Sequence, residues 1–517
     1  MNAASAVEAR QRPPPCLPFA VPVAWLLSPT TDAPCLRVAR QLRERKNGSG
    51  AEFWPRVGDE RGRAREAGEN SDSEFQTADL NFAPVRMTAE MPSPALLPPD
   101  ILVCIFSALQ VPDLVRAGSV CSSWLSAYTS VCNLGLHWPQ QTPCLFYTSG
   151  STGDGAAGLY SLEEKKAYTL RLPDPPIRSR NVIGSSYGWL ITADERSELH
   201  LLNPITGQQI ALPSVTTIEQ VEPVFDGAGA IQKYEYSWYD GKKVYYEPPS
   251  TLALDELRGY LYVKAFLSSD PSAGDYIVVL IHNPWSQLSF ARSSAKRWTW
   301  LPPHSYFEEY CVIKDGSLYA LSKKGEIQAF DLNGPEVTCK VVIENVQDYM
   351  DYGMSMYVVQ APCGDLLQIW RICDPLGEYG GEDEEDEDED VSEPEPDSGS
   401  VVVNTTMIKP YKVDTAAKIL VEVSNLGDNM LFLGHNQSLC LHAEEYPLLK
   451  ANHVYLTDDH EPWNSSFKDR TRDVGVFSLE NNIREEIVSP VLWSNWPPPV
   501  WITPNPRKIN FVSDKRI

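Results

Sequence analysis

The feature that most constrains this chain is a pattern repeated from about residue 140 to residue 515. Short β-type runs alternate there with Gly, Pro, Asn and Asp punctuation. Tyr187-Gly188-Trp189-Leu190-Ile191, Gly259-Tyr260-Leu261-Tyr262-Val263, Gly316-Ser317-Leu318-Tyr319-Ala320-Leu321 and Asp365-Leu366-Leu367-Gln368-Ile369-Trp370 are four such runs. A run is followed by a turn, such as Asn203-Pro204-Ile205-Thr206-Gly207, and then by a Leu-Pro step at Leu212-Pro213. The same order returns at Asn283-Pro284-Trp285 with Trp300-Leu301-Pro302, and more weakly at Phe330-Asp331-Leu332-Asn333-Gly334. The repeat distance, about 50 to 80 residues, is compatible with degenerate four-stranded blades. Roughly 370 residues at about 45 to 60 per blade give about six to eight blades. The expected fold class is mainly β, with a small N-terminal three-helix module followed by a β-propeller of roughly six to eight blades. Two unrelated β domains are the alternative.

Residues 94–132 obey a different period. Pro98 and Pro99 suit the first turn of a helix, where a missing N–H is harmless. Asp100 places negative charge at the helix N-terminus. Leu102, Ile105, Phe106 and Leu109 follow at i, i+3, i+4 and i+7, which is one apolar stripe. Pro112 and Asp113 restart a second helix with Leu114 and Val115, and Gly118 ends it. Val120, Cys121, Trp124, Leu125 and Tyr128 fit the face of a third. About 40 residues are few for a self-sufficient core, so excess apolar surface implies docking on a partner.

Two segments have the composition of disorder. Residues 1–90 lack sustained periodicity and are rich in Pro, Arg, Glu and Gly, so they cannot bury enough apolar surface to offset ordering entropy. Residues 378–400 form an acidic insertion. Its nine consecutive acids, Glu382 to Asp390, with Glu393, Glu395 and Asp397, carry twelve of the negative charges; without them the net charge would be −13 instead of −25. A chain this acidic is a poor match for a nucleic-acid backbone. No apolar run is long enough to span a membrane. The stretch from Cys16 to Leu27 lacks a clean cleavage site, so a signal peptide is not expected. Eleven scattered cysteines without a Cys-x-x-Cys pair fit a reduced protein of the cytoplasm or nucleus.

Catalytic signals are weak. Dinucleotide-type Gly-x-Gly-x-x-Gly, Walker and Gly-x-Ser-x-Gly elbow patterns are read as absent, and no cofactor is implied. His435, His442, His453 and His460 with Asp458 and Asp459 are the densest group able to hold a metal. Their strand-turn-strand setting indicates no convergence, so no metal site is expected. Tyr234, Tyr236, Trp238 and Tyr239 are aromatic candidates for a binding face. Their alternation with polar residues reads equally as strand packing.

The helical segment resembles an F-box. The resemblance lies in Leu97-Pro98-Pro99-Asp100-Ile101-Leu102, Ile105-Phe106-Ser107-Ala108-Leu109, Pro112-Asp113-Leu114-Val115 and Val120-Cys121-Ser122-Ser123-Trp124. The β region is similar to plant KIB-type β-propellers. Its matching stretches are Gly184–Leu190, Leu201-Leu202-Asn203-Pro204, Leu431–Ser438, Asn452–Asp459 and Asp473–Leu479. These resemblances imply a non-catalytic plant F-box protein that binds a Skp-type adaptor, and through it a cullin, while the propeller recruits an unknown protein substrate. From the acidic charge and the lack of a long apolar run, no nucleic-acid or membrane partner is expected. The adaptor-binding residues expected are Leu97, Pro98, Ile101, Leu102, Ile105, Leu109, Leu114, Val120 and Trp124. Val120 and Trp124 fit internal packing equally well. The alternative is a ligase-independent scaffold with a degenerate F-box.

Overall fold

The computed structural model describes residues 78–79, 97–137, 140–240, 243–244, 248–301, 308–334, 336–344, 346, 353–373, 404–459, 468 and 471–508. The expected N-terminal tail, apart from Ala78–Asp79, and the acidic insertion lie outside the described residues.

Three helices come first: α1 (Pro99–Ser107), α2 (Val111–Gly118) and α3 (Ser122–Leu134). Pro99 opens α1 and Asp100 sits in its first turn, as the local chemistry predicts. Leu102 and Phe106 of α1 are buried against Val111, Leu114 and Val115 of α2 and Ala127, Tyr128, Val131 and Cys132 of α3. The inward face of α3 thus differs from the sequence expectation: Val120 and Leu125 remain exposed. Gly118 does end α2, but close packing is what demands glycine there. A Cβ at that position would lie 2.7 Å from Cγ of Tyr128.

Six sheets of four or five strands follow among the described residues. Blade 1 contains Cys144–Tyr147, Ala156–Ser161 and Lys166–Arg171, and blade 2 runs from Asn181–Ser186 to Gln209–Ala211. Blade 3 runs from Tyr262–Leu267 to Thr299–Trp300, and blade 4 from Glu308–Lys314 to Thr338–Ile343. Blade 5 runs from Met354–Gln360 to Ile419–Glu422, and blade 6 from Asn429–Leu433 to Ile483–Glu485. Many strands, such as Ala156–Ser161 and Trp189–Ala193, are buried along their whole length, which suits sheets packed on both faces. Between blades 2 and 3 the chain inserts a three-stranded sheet (Val221–Phe225, Ile231–Tyr236, Ser250–Ala253) and the hairpin Tyr239–Asp240/Lys243–Val244.

Shared cores join the sheets into a ring. Phe146 and Leu170 of blade 1 pack with Val182 and Leu190 of blade 2. Trp189 and Ile191 of blade 2 pack with Ala265 and Leu280 of blade 3. Phe266, Tyr310, Tyr357 and Leu431 link blades 3, 4, 5 and 6. Phe432 and Tyr455 of blade 6 return to Leu145 and Trp501. Blades 2 and 3 approach so closely that a Cβ on Gly184 would lie 2.1 Å from the Ala265 carbonyl oxygen. The ring closes by strand exchange, because the late strand Val500–Ile502 pairs antiparallel with Cys144–Phe146 of blade 1. Phe511, whose position near the C-terminus would by sequence suit such a closure, lies outside the described residues. The described residues are therefore mainly β, a propeller with six blades among them behind a helical module.

Two local expectations are refined. Gly259, Tyr260 and Leu261 belong to the short helix Leu257–Leu261, because Leu257 and Leu261, four apart, both enter the core; the strand begins at Tyr262. The strands flanking the acidic insertion, Leu366–Cys373 and Thr405–Asp414, pair with each other. The insertion is thus a connection between neighbouring strands of blade 5.

Candidate functional site

The nine residues singled out in the helical module separate by helical period. Leu97, Pro98, Ile101 and Val120 are exposed, Leu97 at 44% and Val120 at 60%. Ile105, Leu109 and Trp124 are half-buried against the module's core. Leu102 and Leu114 are interior, 2% and 0% exposed. One turn after Leu97, Ile101 continues the outer face of α1, whereas Leu102 and Phe106 form its inner face. Trp124 meets Phe106 edge-to-face at 5.3 Å and holds α3 on α1. Leu125, at 42% exposure, is an outward apolar residue of α3 that was not singled out for docking. Fully burying a side chain of this size contributes about 1.5–3 kcal/mol, so Leu97, Ile101, Val120 and Leu125, with Leu134 and Leu136 at the end of α3, are unspent apolar surface.

The module is fastened to blade 1. Arg116 of α2 donates from Nη1 to the Tyr168 hydroxyl at 2.6 Å, and from Nη2 to Glu164 Oε2 at 3.0 Å and Asp113 Oδ1 at 2.5 Å. The Tyr168 hydroxyl in turn donates to Glu164. Burial alone would lower the Arg116 pKa, but the bonds to Asp113 and Glu164 outweigh it and raise it. A second tie satisfies a helix-end donor: the Val111 amide donates to Gln141 Oε1 at 2.7 Å. Arg507, downstream of the closing strand, lies against Gly135 at the end of α3.

Inside the propeller, four blades meet at a buried polar network. Lys264 Nζ of blade 3 donates to Asp459 Oδ2 at 2.8 Å and lies 5.1 Å from the centroid of the Tyr310 ring of blade 4. Arg371 of blade 5 donates to Asp459 Oδ1 at 3.3 Å, the Thr457 carbonyl at 2.9 Å, Asp473 Oδ2 at 3.0 Å and Thr405 Oγ1 at 2.8 Å. Arg484 Nε lies 3.3 Å from Asp473 Oδ1. Burial alone would raise the Asp459 pKa, but Lys264 and Arg371 hold it well below the usual carboxylate range. Asp458 instead faces Arg472, at 3.8 Å. The adjacent carboxylates, which follow the strand His453–Leu456, thus address different cations. Sequence reasoning missed this network. Its signal was a lone cation inside each of two apolar runs, Lys264 in Tyr262–Leu267 and Arg371 in Leu366–Cys373.

The network accounts for part of the metal candidate set. No group of three His, Cys, Asp or Glu residues able to hold a metal occurs among the described residues. His435 is buried, the His453 ring sits on the Ala451 carbonyl at 2.6 Å, and His460 is outside the described residues. Two glycine spacings need correction, since both strings are present. Gly153-Asp154-Gly155-Ala156-Ala157-Gly158 has dinucleotide-type spacing, but it leads from a turn into a strand and offers no helix N-terminus. Gly184-Ser185-Ser186-Tyr187-Gly188 has nucleophile-elbow spacing, but Ser186 pairs with Trp189 across a β-hairpin. The Ser186 hydroxyl is buried and accepts from the Leu267 amide at 3.3 Å. Of the aromatic candidates, Tyr234 and Tyr236 are core, whereas Trp238 and Tyr239 are half-buried.

Comparison with known proteins follows the same division of the chain. A KIB1-4 β-propeller family model matches residues 159–478, and an F-box-like model matches residues 95–130. F-box protein SKIP23 of Arabidopsis thaliana is 23% identical over 430 residues, covering 81% of this chain and 97% of that protein. F-box protein KIB4 of the same plant is 27% identical over 240 residues, covering 46% of this chain and 58% of that protein. F-box protein KIB3, also from Arabidopsis thaliana, is 32% identical over 122 residues, covering 23% of this chain and 26% of that protein.

Proposed function

Because the chain belongs to the KIB1-4 β-propeller family and carries an F-box-like module ahead of the propeller, we propose that it is the substrate-recognition subunit of a Skp-cullin-F-box E3 ubiquitin ligase. The observation that carries this reading is the outward face of the helical module. Leu97, Ile101, Val120 and Leu125 stay exposed although the module has its own core and is fastened to blade 1. Exposed apolar side chains of this kind suit the groove of a Skp-type adaptor, where a few desolvated anchors dominate affinity. Adaptor binding requires an apolar surface and no catalytic group, so the chain acts as a non-catalytic receptor in the cytoplasm, the nucleus or both. The propeller supplies a rigid body whose loops hold a protein substrate.

The test is affinity capture of the adaptor and cullin by the full chain with the proteasome inhibited. Wild type is expected to retain both, and Leu97→Asp with Ile101→Asp to lose both. Failure of the wild type to capture the adaptor leaves the scaffold alternative. Unchanged capture by the double variant removes this face from the interface.

A further inference from the structure

Beyond the closing strand Val500–Ile502, residues 503–508 run on from the seam of the ring to the helical module. Pro504, Asn505 and Pro506 are buried, and Arg507 is half-buried. A proline fixes its own φ and holds the residue before it extended. Thr503 and Asn505 are therefore both restricted, and the stretch is stiff.

The stretch first lies against the blade 2 turn Tyr187–Gly188. Gly188 has φ +82°, and a Cβ there would lie 2.3 Å from Cβ of Asn505 and 2.7 Å from the Thr503 carbonyl oxygen. Asn505 bonds at both ends of its side chain. Nδ2 donates to the Tyr187 carbonyl at 3.0 Å, and Oδ1 accepts from the Arg507 amide at 3.0 Å. Its backbone carbonyl accepts from Nδ2 of Asn203 at 2.9 Å.

Two routes lead from there to the helices. Asn203 is fully buried and accepts at Oδ1 from the Ile205 and Thr206 amides, at 2.9 and 3.1 Å. The Ile205 side chain packs against both the module's core and the core shared by blades 1 and 2. The second route is Arg507, whose guanidinium stands at the end of α3. A Cβ on Gly135, the left-handed residue that ends this helix, would lie 3.4 Å from Arg507 Cζ. Positive charge is favoured at a helix C-terminus. The Gly135 and Leu136 amides close the helix there, donating to the Cys132 carbonyl at 3.3 Å and the Val131 carbonyl at 2.9 Å.

We propose that residues 503–507 are a strap that couples closure of the ring to seating of the helical module, so that α3 loosens when Val500–Ile502 leaves blade 1. Arg507 follows Ile502 by five positions, and two of the residues between them are prolines. Movement of the strand therefore passes to Asn505 and to the guanidinium. The Arg116 clamp fastens α2 to blade 1, whereas the strap reaches α3 and blade 2. In the receptor reading above, the strap makes the placement of the adaptor-facing helices depend on a shut ring. The coupling itself rests on contacts within the chain and stands apart from that reading.

The test follows amide exchange by mass spectrometry in the full chain with no adaptor present. Trp501 packs in the core of blades 6 and 1, which contains no residue of the helices. Trp501→Leu is expected to speed exchange in Cys144–Tyr147 and also in α3, each about fivefold or more, with blades 3 to 5 unchanged. Asn505→Ala with Arg507→Ala cuts the strap and is expected to speed exchange in α3 by a similar factor. Adding Trp501→Leu to the strap variant is expected to make α3 no faster. A seam that opens in Trp501→Leu without change in α3 overturns the proposal. So does wild-type exchange of α3 in the strap variant, which stays readable if Trp501→Leu does not fold. Further acceleration of α3 in the combined variant assigns the coupling to another route and overturns it too. Adaptor capture is measured separately, and its failure counts against the ligase reading alone.

Discussion

Lys264 and Asp459 are 195 positions apart in sequence, yet their charged atoms lie 2.8 Å apart inside the propeller. The contact joins blade 3 to blade 6 across the ring, and Arg371 brings blade 5 to the same carboxylate. A buried ion network of this kind is a weak source of net stability compared with apolar packing, but breaking it leaves uncompensated charge.

Asp459→Asn is therefore expected to destabilise the propeller by about 3–5 kcal/mol at pH 7. The folded carboxyl has a pKa held below its ordinary value of 3.8. Its contribution is thus present above about pH 4 and is lost as pH falls further. Denaturant melts of wild type and variant are expected to begin converging as pH falls below about 4 and to draw together progressively from there. A gap that persists unchanged at lower pH contradicts the assignment.

Leu97→Asp with Ile101→Asp is expected to leave the thermal midpoint nearly unchanged, because both side chains already face water. Leu102→Ala, by contrast, is expected to cost about 2–5 kcal/mol of module stability, since Leu102 is interior. Adaptor capture read beside a melting curve separates the two effects. Unfolding of the surface variant contradicts the division of the helical face.

Gly184→Ala is expected to destabilise the ring by about 1–3 kcal/mol or more, because the added methyl meets the Ala265 carbonyl and not a movable side chain. Equilibrium unfolding of the full chain measures it. A neutral result means that blades 2 and 3 are farther apart than described.

Arg116→Ala removes the clamp between α2 and blade 1. Faster amide exchange in Val111–Gly118, with exchange in blades 3 to 5 unchanged, is the expected outcome. Exchange that does not change would show that the clamp does not hold the module.

Much of the architecture was legible in sequence. Turn punctuation and short β runs led to a propeller of six to eight blades, because strand period and turn chemistry are local properties. The α1 stripe was legible for the same reason. Contacts between distant segments were not. The closing strand Val500–Ile502 is a three-residue run with no local mark of its partner, and only the ring places it beside Cys144–Phe146. Leu102 and Leu97 belong to one short apolar motif, yet one is core and the other surface. Their burial depends on where α2 and α3 lie.

The amino-acid sequence by itself determined most of the element types and the family resemblance. Each depends on neighbours a few residues apart. Tertiary structure alone decided which apolar residues of the module remain outward, which cations meet Asp459 and Asp473, and that Trp285 meets Trp238. Those facts depend on the closure of the ring, which brings together side chains that hydrophobic period and turn chemistry treat as strangers.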